Sequence, residues 1–166
     1  WARENQADLL LVMNASPYER DKDDARLKLC QLRAAEAGCD LAYVNLIGGQ
    51  DELVFDGDSM VVDRHGNLVA RAPQFEPTLL TIDLELSSSP EPDSCIALGP
   101  LNWKAEITYP PAIAPRLAES DEIYQALTLG LGDYVRKNGF KSVILGLSGG
   151  IDSALVAALA CDAIGA

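Results

Sequence analysis

Hydrophobic and polar residues follow one another along the first part of this chain in the pattern of strands and helices. Residues 9–13 form a nearly continuous apolar run that small polar residues close, which predicts a strand buried on both faces. Residues 22–38 carry apolar side chains at helical spacing, so we predict an amphipathic helix that ends at Gly38. One stripe of this helix consists of Ala25, Leu29, Leu32 and Ala35. A second strand is predicted over residues 41–49.

The next segment alternates between apolar and polar residues on both sides of a turn. Residues 53–73 predict a β-hairpin with its turn at "DRHGN", and His65 is interpreted as a residue of that turn. The acids of "GGQDELVFDGD", residues 48–58, are interpreted as part of a solvated loop. A further strand is predicted over residues 78–86.

Serine and proline interrupt every periodic pattern over residues 87–115, which predicts an inter-domain linker. The stretch that follows predicts a helix with Ser120 as its N-cap and acids in its first turn. It has basic residues in its last turn and Gly139 after its end. Residues 141–147 then predict a strand, and residues 152–165 predict an apolar helix. No internal repeat is visible.

Charge and cysteine content restrict the class of partner. The formal net charge of −12 argues against broad binding to nucleic acid or to an anionic membrane, because both need clustered Lys and Arg. A substrate with phosphates is compatible with this charge where backbone dipoles or a metal ion counter it. We expect neither a membrane span nor a signal peptide. The four cysteines show no CxxC or Cys/His spacing, so we expect reduced thiols and a cytoplasmic protein.

The stretch "LGLSGGIDSALVAALA", residues 145–160, carries the candidate chemistry. An apolar run passes through glycines straight into a helix, whose first N–H groups and dipole form a site for an anion. Ser148 and Ser153 add hydroxyl donors. Asp152 would repel a phosphate unless a cation stands between them, and Mg²⁺ prefers such oxygen ligands. The pattern therefore favours a pyrophosphate-binding loop with a metal anchor over the alternative, a glycine turn whose helix is capped by Asp152 or Ser148.

This loop is not the common P-loop, because Ile151 and Asp152 stand where that motif has its lysine, and it does not match GxGxxG. "SGGIDS" resembles the loop of the N-type ATP pyrophosphatases, which adenylate a carboxyl or carbonyl oxygen and release pyrophosphate. The resemblance implies that ATP binds here, with Mg²⁺ on Asp152. The implied ATP-binding residues are Gly146, Leu147, Ser148, Gly149, Gly150, Ile151, Asp152 and Ser153.

The first half decides between members of that superfamily. "LLLVMNASPYERDKDDAR", "LAYVNLIGGQDELVFDGDSMVVD" and "RAPQF" resemble the later part of a nitrilase-type amidase domain. Together with the loop segment, the whole chain resembles the glutamine-dependent NAD⁺ synthetase family. The implied fold is α/β, in which the end of a nitrilase-like α-β-β-α sandwich (1–86) is joined by the linker (87–115) to a further segment. That segment is the first β-loop-α unit of a parallel-sheet ATP pyrophosphatase domain (116–166).

The resemblance implies a two-step reaction. A Glu–Lys–Cys set hydrolyses glutamine, and the synthetase domain uses Mg-ATP to adenylate deamido-NAD⁺, which ammonia then converts to NAD⁺. In this family the Glu, Lys and Cys precede the strand that "LLLVMNAS" matches, so they are expected upstream of Trp1 and no catalytic residue is assigned in this chain. Ser16 and Lys22 match positions that bind glutamine. Small molecules are thus the implied partners, and a homo-oligomer is expected for a complete enzyme.

Two other readings stay open at this point. The loop segment is alternatively part of another ATP pyrophosphatase fused to an amidase, and residues beyond Ala166 would discriminate between them. Alternatively, the chain as it stands is an inactive nucleotide-binding fragment. The isolated 166 residues are expected to have neither glutaminase nor synthetase activity.

Overall fold

The structure is a computed structural model that describes residues 1–20, 22–86 and 109–165. The predicted linker lies outside the described residues up to position 108. The elements of the described part are β1 (Leu9–Asn14), α1 (Asp23–Ala37), β2 (Asp40–Asn45), β3 (Ile47–Gln50), β4 (Leu53–Asp56), β5 (Met60–Val62), β6 (Leu68–Arg71), α2 (Glu119–Lys137) and α3 (Ile151–Ile164).

A mixed four-stranded sheet has the order β1-β2-β5-β6. β1 and β2 are parallel, and α1 provides the crossover that parallel neighbours require. β5 and β6 form the antiparallel hairpin that the sequence predicts. In its turn the Asp63 carboxylate accepts hydrogen bonds from the backbone N–H of His65 at 2.9 Å and of Asn67 at 2.8 Å. The interpretation of exposed His65 as a turn residue is therefore confirmed.

The strand predicted over residues 41–49 is divided in two. β2 belongs to the large sheet, whereas β3 pairs with β4 in a separate two-stranded sheet. Leu46 lies between them, and its backbone N–H donates to Asn14 O at 2.9 Å. Residues 53–56 consequently pair with β3 and take no part in the hairpin to which the sequence pattern assigned them.

α1 presents another face to the sheet than the predicted stripe. Arg26, Cys30 and Ala34 are buried among the residues of α1 whose side chains are described, 25–37, whereas Leu29 is 53% and Leu32 is 51% exposed. Small side chains let the helix lie close to the sheet, and the charge of Arg26 is balanced inside the core. The hydrophobic pattern alone therefore selects the wrong face. Cys30 and Ala34 belong to a core cluster whose other buried members are Leu41, Tyr43, Met60 and Val62.

Three strand predictions need correction. β1 forms, but it is not buried on both faces, since Leu11 is 71% and Met13 is 87% exposed. Residues 78–86 and 141–147 are not strands, and Ile144 is fully exposed. A strand is stable only beside a hydrogen-bonding neighbour, and the described part of the chain offers none to these two segments. The fold class is α/β, as predicted.

α2 lies between the β3–β4 sheet and α3 and contacts both. Towards the sheet, Gly49 N–H donates to the Asp133 carboxylate at 2.8 Å, and Lys137 Nζ donates to Gly49 O. Towards α3, Gly132 approaches closely, since a Cβ there would lie 2.9 Å from Ala163 O. The predicted N-cap Ser120 lies inside the helix, and Ala118 occupies the cap position without a side-chain hydrogen bond. The predicted stop near Gly139 is correct, with Lys137 as the last helical residue.

None of the helices in the described ranges has the length and apolarity required to cross a membrane.

Candidate functional site

The glycine loop lies directly before α3. Gly149 has φ +83°, a left-handed conformation that favours glycine, and Gly150 is the extended N-cap residue. The chain therefore turns sharply into the helix. The eight residues predicted to bind ATP, 146–153, are contiguous here, and all of them are exposed except Ser153, which is half-buried.

Two hydroxyl groups hold this loop in shape. Ser153 Oγ donates to Gly150 O at 3.0 Å, lies 3.0 Å from Ser148 Oγ, and accepts from Ser148 N–H at 3.3 Å. Ser148 Oγ also accepts from Gly150 N–H at 3.4 Å. The loop is thus organised by its own side chains. The N–H groups of the first helical turn have no intrahelical acceptor and, together with the helix dipole, favour an anion.

Asp152 lies exposed in the first turn of α3. The described residues contain no group of three or more His, Cys, Asp or Glu placed to hold a metal ion. A protein-only metal cage is therefore not formed in this part. A single carboxylate does fit Mg²⁺ that arrives with a nucleotide, because this ion usually keeps waters and phosphate oxygens as its other ligands.

Ser16 and Lys22 lie on the loop between β1 and α1, and both line one cavity of about 280 Å³. The cavity wall is partly polar, through Asn14, Ser16, Lys22, Arg26 and Arg33. Its apolar part consists of Val12, Ala25, Leu29, Cys30 and Leu41, with Tyr43 beside them. The structure thus brings together the two residues that the family resemblance assigns to glutamine.

The main chain of Ser16 is held from the side of β2. Ser16 N–H donates to Asn45 Oδ1 at 2.8 Å, and Asn45 Nδ2 donates back to Ser16 O at 3.2 Å. Asn45 is itself buried, and its own N–H donates to Ser59 Oγ at 3.0 Å. These bonds fix where Ser16 stands at the end of β1.

Lys22 is paired within its own loop. Its Nζ donates to Glu19 Oε1 at 2.6 Å and to Pro17 O at 3.4 Å. The hydrogen bond and the charge of Lys22 lower the pKa of Glu19. A glutamine carboxylate at Lys22 would therefore compete with the Glu19 carboxylate.

Two ion pairs are buried in the described structure, Arg26–Asp56 and Arg71–Asp58. They correct the interpretation of residues 48–58 as a solvated loop. Asp56 and Asp58 are both 0% exposed, whereas Asp51 and Glu52 are exposed. Arg26 Nη1 donates to Asp56 Oδ2 at 2.6 Å. The signal that was missed is the position of both acids beside the apolar positions of β4 and β5.

The second pair is bidentate. Arg71 Nε and Nη2 donate to the two carboxylate oxygens of Asp58 at 2.6 and 2.7 Å. The backbone N–H and C=O of Arg71 also bind residues 112 and 114, so the end of the predicted linker runs along β6. The main chain of Arg71 thus joins the end of the predicted linker to β6.

The three described cysteines, Cys30, Cys39 and Cys161, are free thiols. Burial raises the pKa of both Cys30 and Cys39, which disfavours the reactive thiolate. Cys161 is exposed on α3. Cys95 lies outside the described residues. The expectation that no cysteine of this chain is the glutaminase nucleophile stays a prediction.

Two family models match this chain, one over each candidate site. A family model described as carbon-nitrogen hydrolase matches residues 1–91. A family model described as NAD synthase matches residues 123–166.

Curated relatives match across both segments. The glutamine-dependent NAD(+) synthetase of Aquifex aeolicus (strain VF5) is 44% identical over 96% of this chain and 30% of its own length. The enzyme of the same name from Rhodobacter capsulatus is 43% identical over 96% of this chain and 26% of its own length. The chain therefore spans less than a third of these relatives.

A solved structure gives the same result. The glutamine-dependent NAD⁺ synthetase of Acinetobacter baumannii, solved in complex with ADP, matches with a TM-score of 0.75 and 37% identity. The match covers 99% of this chain and 28% of that protein.

Proposed function

This chain belongs to the carbon-nitrogen hydrolase family, and from that premise we propose that it is a segment of a glutamine-hydrolysing NAD⁺ synthetase. The support is the order of two different family segments on one chain, hydrolase first and NAD synthase second. Further support comes from the Aquifex aeolicus relative, which matches 96% of the chain and therefore covers both segments. No relative named above favours another ATP pyrophosphatase fused to an amidase.

We divide the chain into a glutaminase segment (1–86), a linker (87–115) and a synthetase segment (116–166). The two matched ranges, 1–91 and 123–166, support this division because the proposed linker lies largely between them. The contact of residues 112 and 114 with Arg71 supports an end of the linker that lies beside the glutaminase segment before α2 begins.

The proposed reaction has three steps. Glutamine and water give glutamate and ammonia at the glutaminase site, whose Glu, Lys and Cys belong upstream of this chain. ATP then transfers AMP to the nicotinate carboxylate of deamido-NAD⁺ and releases pyrophosphate. Ammonia displaces AMP and leaves NAD⁺. The two active sites are on different segments, so ammonia has to pass from one to the other.

The residues of the glycine loop bind and orient the nucleotide in this scheme. The N–H groups at the start of α3 and the hydroxyls of Ser148 and Ser153 would bind the phosphates, whose charge the helix dipole favours. Asp152 would hold Mg²⁺ that accompanies ATP, and the ion would neutralise the departing pyrophosphate. Ser16 and Lys22 would bind the α-carboxylate end of glutamine.

The setting that fits this reaction is the cytoplasm, with a homo-oligomeric complete protein and only small molecules as substrates. Three described cysteines are free, which fits a reducing compartment. The net charge of −12 supports neither nucleic acid nor an anionic membrane as a partner.

The preformed loop before α3 is the observation that carries the proposal, and Asp152→Ala tests it in the complete protein. We expect loss of ATP-dependent NAD⁺ synthesis from ammonia, while glutamine hydrolysis stays within about twofold. Asp162→Asn is the matched control, because Asp162 lies on the same helix but accepts a hydrogen bond from Tyr124 at 2.6 Å. Unchanged synthesis in Asp152→Ala would remove this residue from the site. The isolated 166 residues should show neither activity, and turnover there would contradict the proposed upstream position of the nucleophile.

A further inference from the structure

We propose that Arg26 and Asp56 act as a buried positioning pair that fixes the main chain at Ser16 and Pro17 and so sets the affinity for glutamine. This inference rests on the proposed function, since it takes the loop between β1 and α1 as part of the glutamine site. Neither residue is proposed to touch glutamine. Both residues act through the loop between β1 and α1, which is the part proposed to contact glutamine.

The geometry shows how the pair reaches the loop. Arg26 lies in the first turn of α1 and is 6% exposed. One of its terminal nitrogens, Nη1, donates to Asp56 Oδ2, whereas the other, Nη2, donates to Pro17 O at 3.0 Å and Ser16 O at 3.4 Å. Asn45 holds the same Ser16 from the opposite side. The loop is therefore hydrogen-bonded both to β2, through Asn45, and to α1, through Arg26.

The energetics of the pair argue against a purely stabilising role. A buried ion pair often contributes no more than an apolar pair of similar volume, because both charges lose their hydration. Here Arg26 Nε and Asp56 Oδ1 have no hydrogen-bond partner among the described residues, so the pair is not fully satisfied. Burial alone lowers the pKa of Arg26, but the hydrogen bond and charge of Asp56 outweigh it and raise the pKa. Asp56 thus balances the buried charge of the guanidinium, while Nη2 donates to the loop.

Asp58 provides a closely matched control. It is as fully buried as Asp56, it is paired with Arg71, and its charge also raises the pKa of Arg26. Asp58→Asn therefore removes a buried charge from the same region. It leaves the hydrogen bond from Arg26 to Asp56 in place.

The experiment compares Asp56→Asn, Arg26→Lys and Asp58→Asn in the complete protein. For each we measure KM and kcat with glutamine, and NAD⁺ synthesis from ammonia as a reference. We expect Asp56→Asn and Arg26→Lys to raise the KM for glutamine about tenfold and to change kcat less than threefold. This is the signature of lost binding energy rather than lost catalysis. Synthesis from ammonia should stay unchanged, and Asp58→Asn should change the KM less than threefold.

Several results would overturn the inference. An unchanged KM in both variants, a fall in kcat without a change in KM, or an equal rise in KM for Asp58→Asn would each contradict it. Loss of ammonia-dependent synthesis in both variants would also do so, because a general structural role would then suffice. Failure of the proposed function itself looks different, since the unmodified protein would then not make NAD⁺ from ammonia.

Discussion

The close contact between α2 and the β3–β4 sheet depends on the absence of a side chain at Gly130. A Cβ added there would lie 2.9 Å from Val54 Cγ2, and a Cβ at Gly49 would lie 3.1 Å from Gly130 Cα. Carbon atoms pack best at about 3.5–4.0 Å, so Gly130→Ala requires a shift of about 1 Å between helix and sheet. Val54 is β-branched and its side chain is stiff, which limits local relief.

The magnitude follows from two opposing effects. Overpacking of this kind costs about 1–3 kcal/mol. Replacing glycine by alanine inside a helix contributes about 1 kcal/mol in the other direction. Gly130→Ala alone should therefore lower the free energy of unfolding by about 0–2 kcal/mol. Once Val54→Ala has removed the clashing methyl, the same change should raise it by about 1 kcal/mol.

The assay is a double-mutant cycle over both positions in the 166-residue chain. Urea denaturation followed by circular dichroism gives the free energy of unfolding of the four proteins, with equal m-values as the condition for comparison. Helix propensity cancels in the cycle, so the coupling energy isolates the steric contact, and we expect about 1–3 kcal/mol. Coupling below about 0.5 kcal/mol would refute the close approach of α2 to β4. Amide exchange at Gly49, whose N–H binds Asp133, should accelerate in Gly130→Ala alone.

Three further outcomes are expected. Partial burial raises the pKa of Asp133, but hydrogen bonds from a backbone N–H and two basic side chains outweigh it and lower the pKa from its ordinary value. The carboxylate therefore stabilises the fold above about pH 4, and Asp133→Asn should cost about 1–2 kcal/mol at pH 7 and progressively less at lower pH. An equal cost at every pH would contradict this. Iodoacetamide at pH 8 should modify exposed Cys161 before buried Cys30 and Cys39, as peptide mass spectrometry would show, and equal rates would contradict their burial. In the complete protein, Lys22→Ala should raise the KM for glutamine and spare ammonia-dependent synthesis, and an unchanged KM would remove Lys22 from the pocket.

Local signals predicted the elements that depend on local chemistry. The run at residues 9–13, the helix ending at Gly38 and the turn at "DRHGN" each form where the sequence places them. Gly38 has φ +73° and its N–H binds Ala34 O, as a glycine C-cap does. The glycine loop before α3 is also local, because its hydroxyls and its left-handed glycine lie within six consecutive residues of the sequence "SGGIDS".

Features that depend on distant partners could not be read from the sequence. The buried face of α1 contains an arginine, which is stable there only because Asp56, thirty positions away, neutralises it. The sequence pattern predicts Asp58 to be a solvated loop acid, whereas in the structure it is buried in an ion pair with Arg71. The strand predicted over residues 141–147 has the composition of a strand but no neighbour among the described residues. Pairing is a property of two segments, and a pattern along one segment does not contain it.

The spacing of two glycines in α2 limits where this protein tolerates an insertion. Gly130 faces the β3–β4 sheet and Gly132 faces α3, so the phase of one helix serves two neighbours at once. Inserting a single residue before position 130 would rotate everything after it by about 100°. Both glycines would then leave their contacts together, and a rotation of the helix that restored them would displace the buried residues before the insertion, Glu122 and Ala126. Natural variation in length should therefore be absent from the middle of α2.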